Sequence, residues 1–175
     1  GILSAAKALS VTTRGLLNNQ AGKLLADGTA SLYSGDLNNS QGGVISARNS
    51  IDILSANLDN SQQGSIKSDA GITLDGGQLN NSQQGSIFAK STVNATLTGL
   101  DQHDRGELVS NTGINLNLNH GVLINRNRGL IATPGQLLLS NLGVVDNSQG
   151  GEISSTQSFV LAADSLNNRG GKVIS

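Results

Sequence analysis

The segment LNNSQGGVIS, residues 37–46, returns with small changes as LDNSQQGSIK at 58, LNNSQQGSIF at 79 and LNNRGGKVIS at 166. An internal repeat restricts a fold more than any other sequence feature, because every copy has to meet the same physical demand. The first apolar residue of each copy marks a series: Leu17, Leu37, Leu58, Leu79, Leu100, Leu123, Val145 and Leu166. Subtraction gives intervals of 20, 21, 21, 21, 23, 22 and 21 residues.

Other apolar positions keep step with this anchor. Eight residues on stand Leu25, Ile45, Ile66, Ile87, Leu108, Ile131, Ile153 and Ile174. Fourteen on stand Ile51, Ile72, Val93, Ile114, Leu137 and Phe159, and sixteen on stand Ile53, Leu74, Ala95, Leu116, Leu139 and Leu161. The first unit is one residue short, and Ala30 and Leu32 fill its equivalent positions. Apolar residues two apart are the signature of a strand with one buried face. No long stretch shows a helical period between caps, so helix is not expected.

Strands this short cannot bury their own inner faces. Stacking one unit on the next removes the difficulty, with equivalent strands pairing in parallel at about 4.8 Å. The expected fold is therefore all-β: a parallel β-helix, or β-solenoid, of triangular or flattened section with about 21 residues per rung. Residues 1–175 are expected to form a single array, with rungs beginning near 17, 37, 58, 79, 100, 123, 145 and 166. The sequence starts and stops within a repeat and has no initiator Met, so a fragment of a longer protein is expected.

The decapeptide itself reads as one corner plus the start of the next strand. Two residues past the anchor stand Asn19, Asn39, Asn60, Asn81, Asn125, Asn147 and Asn168, with Gln102 in the remaining unit. Asn tolerates turn conformations, and stacked amides can pair with one another at a crowded bend. Gly follows at six past the anchor (Gly43, Gly64, Gly85, Gly106, Gly129, Gly151) or at five (Gly22, Gly171). Glycine there is expected to supply positive φ and close backbone approach.

Composition excludes several functions. Net charge is −1 and charged residues make up 13% of the chain, against an electrostatic binder of nucleic acid or anionic membrane. Cysteine is absent, which removes disulfides, thiol catalysis and Cys-based metal sites. No apolar run is long enough for a membrane-spanning helix. With two Phe, one Tyr and no Trp, the core has to be aliphatic.

Tandem rungs of the form LNN-[ST/Q]-x-G-x-I, each about 20 residues, resemble the filamentous haemagglutinin repeats of large two-partner-secreted exoproteins. These include adhesins and contact-dependent growth inhibition proteins. The resemblance covers nearly the whole chain. It implies a right-handed helix, in line with the general hand of parallel crossovers. It also implies export by an outer-membrane two-partner secretion transporter and a place on the surface of a Gram-negative bacterium. There the repeats would form a non-catalytic shaft that carries an adhesive or toxin region outward.

β-Helices also host polysaccharide lyases and hydrolases, which gather carboxylates on one face. Here Asp52, Asp69, Asp75, Asp146 and Asp164 scatter over different repeat positions. The one cluster is DQHDRGE, which brings Asp101, His103, Asp104, Arg105 and Glu107 to the corner where Gln102 replaces Asn. Its functional reading is a contact for a cell-surface glycan or receptor; its plain reading is a tolerated polar corner. His103 and His120 occupy unlike repeat positions and offer no third metal ligand. Neither an enzyme activity nor a cofactor is expected.

Residues 120–145 are the most irregular stretch. Pro134 is expected at a corner or bulge. Ile124, Leu130, Leu138 and Val144 fall at outward positions. A loop folded over that wall is the preferred reading, and an exposed apolar patch for a partner is the other.

Overall fold

The computed structural model describes residues 1–175. It contains 22 β-strands and no helix, and every strand pairing is parallel. The chain winds into a β-solenoid of about 8 turns with ~21 residues per turn. No helix is long and apolar enough to cross a membrane.

Each of the first seven turns contributes strand to three walls, and the last turn lacks strand in the second. The first wall is a nine-stranded sheet running from Ile2–Ala5 through Ser65–Ser68 to Lys172–Ile174. The second starts at Leu9–Thr12 and continues through Ile51–Ser55 and Ile72–Gly76. The third is built from very short strands such as Leu37–Asn38 and Leu58–Asp59. Two long strands, Gly113–Ile124 and Gln136–Asp146, run from the second wall into the third and fuse them into one sheet.

Inward side chains form columns. On the first wall Ile45, Ile66, Ile87, Leu108, Ile131 and Ile153 stack in register and are buried. On the second, Ala30, Ile51, Ile72, Val93, Ile114 and Leu137 form one column, and Leu32, Ile53, Leu74, Ala95, Leu116 and Leu139 the other. The anchors pair in one line from Leu17 and Leu37 to Val145 and Leu166. Phe159 and Leu161 pack on the core half-buried, outside any strand.

The structure corrects two first-wall assignments. Leu24, not Leu25, aligns with Ile45; Leu25 aligns with Ser46 and points outward. At the other end Val173, not Ile174, aligns with Ile153. Both units have their glycine at five past the anchor, so a count of eight overshoots by one. A one-residue slip in a strand moves the side chain to the opposite face.

The irregular stretch also differs from expectation. The additional residues of the 23-residue interval form a bulge at Asn119 and His120, both with positive φ, where the pairing register shifts between Asn117 and Gly121. Leu118 is buried there. Pro134 sits in the bend between Leu130–Thr133 and Gln136–Asp146. No loop covers the wall: Leu138 and Val144 are about half exposed, and Ile124 and Leu130 are half-buried. The chain absorbs the additional length by extending its strands around the corner, which keeps backbone groups in the ladder.

Candidate functional site

The corner after each anchor holds a continuous chain of side-chain amides. Asn19 Nδ2 donates to Asn39 Oδ1 at 2.7 Å, Asn39 to Asn60 at 2.7 Å, and Asn60 to Asn81 at 2.8 Å. Asn81 Nδ2 donates to Gln102 Oε1 at 2.9 Å, and Gln102 Nε2 to Asn125 Oδ1 at 3.2 Å. Asn125 to Asn147 and Asn147 to Asn168 complete it, each at 2.8 Å. Each interior amide also donates to backbone carbonyls: Asn60 Nδ2 reaches Gly64 O and Ser86 O, both at 3.2 Å. Asn39, Asn60, Asn81, Gln102, Asn125 and Asn147 are fully buried. Burial of an amide is tolerated only when its donors and acceptors are met, and stacking identical amides meets them. Gln102 continues the ladder with one more methylene.

Packing, not conformational freedom, sets the glycine column. A Cβ on Gly64 would lie 2.5 Å from Asn39 O, 2.6 Å from Asn60 O and 2.7 Å from Asn60 Oδ1. Positive φ falls instead on the preceding pair, at Gln62 and Gln63, Gln83 and Gln84, Asp104 and Arg105, and Asn127 and Arg128. The expectation that these glycines carry positive φ is thus wrong for all eight, Gly22 and Gly171 included, while close approach holds.

The residue after each anchor has a role that the sequence reading missed. Its side-chain oxygen accepts the N–H two residues on: Asn38 from Ser40 at 3.0 Å, Asp59 from Ser61 at 3.0 Å, Asn80 from Ser82 at 3.2 Å and Asp146 from Ser148 at 3.2 Å. These Asx turns fix the entry to the corner. The signal was present as an alternation of Asn and Asp at one repeat position. Ile124 breaks it and offers no acceptor.

Asp101 belongs to this same column. Its Oδ1 accepts from His103 N at 3.0 Å and lies 2.6 Å from His103 Nδ1. His103 Nε2 stands 3.6 Å from Asp104 Oδ2, and Asn127 Nδ2 donates to Asp104 Oδ1. Arg105 is exposed at the next position, and Glu107 lies exposed on the first wall. The structure therefore brings Asp101, His103 and Asp104 into one cluster with Arg105 beside it, and sets Glu107 around the bend. Gln83, Gln84, Asp104, Arg105, Asn127 and Arg128 line an open recess of about 510 Å³ with no apolar side chain in its lining.

The haemagglutinin repeat model matches residues 1–35, 29–99, 77–121 and 92–175, overlapping segments that together span the sequence. The chain belongs to the haemagglutinin repeat family. No curated protein and no solved structure matches it. Haemagglutinin repeats are structural β-solenoid elements of adhesin-like proteins, generally extracellular or at the cell surface. The features most regular in this haemagglutinin repeat array are the buried amide, the glycine beside it and the aliphatic columns. All three hold one rung on the next.

Proposed function

We propose that residues 1–175 are a non-catalytic segment of the shaft of a secreted surface filament of a Gram-negative bacterium. The shaft presents an adhesive or toxin region to other cells, and an outer-membrane two-partner secretion transporter exports it. The observation that carries this reading is the amide ladder, unbroken from Asn19 to Asn168. Such a ladder ties every rung to both neighbours, and a stack of this kind resists bending. The test is excision of residues 58–99, two complete rungs, from the surface-borne protein. A shaft keeps its presented activity and shortens by about 9–10 Å, at ~4.8 Å per rung. Loss of adhesion or toxin delivery with the fold intact would count against it.

A second reading is supported by the polar recess at Asp104 and Arg105: the segment itself contacts a glycan or receptor on another cell. Binding of the labelled, folded chain to intact bacterial and epithelial cells tests it. Saturable binding supports recognition, and its absence leaves the plain shaft.

A further inference from the structure

At four and five past the anchor, three successive rungs carry uncharged residues: Gln41 and Gly42, Gln62 and Gln63, Gln83 and Gln84. The next two rungs break this pattern at the same place, with Asp104 and Arg105, then Asn127 and Arg128. Arg105 N donates to Asn127 O at 3.1 Å, so the two corners are directly stacked. Their arginines leave the same edge about 4.8 Å apart. Like charges in such register are destabilising. Both residues also hold left-handed backbone, at φ 65 and 67. Neither guanidinium is ion-paired, although Asp104 is close by, because that carboxylate is engaged by Asn127 and faces His103. Two stacked, unpaired and exposed arginines, where the two preceding rungs use Gln63 and Gln84 and the next uses Gly150, are a local cost with no structural return. Such exceptions to a consistent pattern mark function.

We infer that this recess binds a phosphate monoester carried on a cell-surface glycan, held between Arg105 and Arg128. The inference rests on the second reading above and names its ligand. Guanidinium forks match the oxygens of a tetrahedral oxyanion. With Arg105, Arg128 and Asp104 in its lining the recess is net positive, so a monoester, with nearly two negative charges at neutral pH, is drawn in more strongly than a sulfate ester, which carries one. The amides of Gln83, Gln84 and Asn127 supply donors and acceptors for sugar hydroxyls. Asp104 on the recess wall repels the anion, and the site is open to water, so the dissociation constant is on the order of millimolar.

Titration calorimetry of the full chain at low ionic strength, with glucose-6-phosphate, glucose-6-sulfate, inorganic phosphate and glucose, tests this. Glucose-6-phosphate binds saturably, and the sulfate ester binds more weakly. R105Q/R128Q installs the residue that stands at 84 in the preceding rung. It weakens binding by about tenfold or more, while the unfolding midpoint does not fall and rises slightly as the like-charge stacking is relieved. D104N tightens binding severalfold, a change of sign that a merely structural role would not produce. Equal binding of sulfate and phosphate esters, or unchanged binding by R105Q/R128Q, overturns the inference. Equal affinity for inorganic phosphate and glucose-6-phosphate overturns its glycan part. Cell binding that survives R105Q/R128Q leaves the recognition reading standing and removes this ligand; absent cell binding removes the reading itself.

Discussion

Asn60 Nδ2 donates to Asn81 Oδ1 at 2.8 Å across two successive rungs, with both side chains fully buried. The same nitrogen reaches Gly64 O and Ser86 O, and Asn39 Nδ2 donates to Asn60 Oδ1. One amide thus serves three rungs.

Asn60→Ala is expected to cost about 2–4 kcal/mol, because it leaves Asn39, Asn81 and two carbonyls short of partners in a site that water does not reach. Urea unfolding followed by circular dichroism measures it. A loss below about 0.5 kcal/mol would show that the ladder contributes little.

Gly64→Ala and Gln63→Gly should act in opposite directions. The added Cβ at 64 meets two carbonyl oxygens and an amide oxygen, all closer than 3 Å, and Asn60 has no room to withdraw. Several kcal/mol of destabilisation, or failure to fold, is expected. Gln63 holds φ 66, where glycine is unstrained, so Gln63→Gly should stabilise by up to about 1 kcal/mol. Thermal unfolding of the two variants distinguishes packing from backbone freedom.

Leu79→Asp places a carboxylate in the column between Leu58 and Leu100, where Leu79 is 1% exposed. A buried charge without a partner is expected to unfold the adjoining rungs. Normal thermal stability and β-sheet content in this variant would sink the assigned register.

Lys90→Ala removes the exposed ion pair with Asp69, at 3.2 Å between successive rungs. Open surface pairs contribute little, so a change under about 1 kcal/mol is expected. A larger loss in the same urea titration would show that rung edges carry stability assigned here to the core.

The aliphatic columns and the amide positions were legible because both recur at one repeat position, and period two fixes their face. What misled was counting across units of unequal length. Leu25 and Ile174 sit at the expected number but on the wrong side, since the missing residue lies between Asn and Gly. The glycine column was found from sequence, but its cause was only half right: the Cβ clash comes from the folded-in amide of the same rung together with a carbonyl of the rung below, a juxtaposition that only the stacked structure displays. The uncovered wall at Leu138 and Val144 was read as needing a loop, because nothing in the sequence shows that a strand can run on around a corner. At the candidate site, Asp101 and Arg105 looked alike as members of one charged cluster. The structure separates them, since Asp101 serves an Asx turn while Arg105 stands unpaired.

Stacking of one rung per ~21 residues is tested most directly by distances between spin labels on the outer face of the second wall. Ser10, Ser31, Asp52, Thr73, Asn94, Asn115 and Leu138 align in one column, and Ser10, Asn94 and Leu138 are exposed. Labels at 10 and 94 lie four rungs apart and at 10 and 138 six rungs apart, so pulsed electron resonance should give narrow distributions centred near ~19 and ~29 Å. Broad distributions, or separations that do not grow in proportion to the number of rungs, would contradict a stacked solenoid.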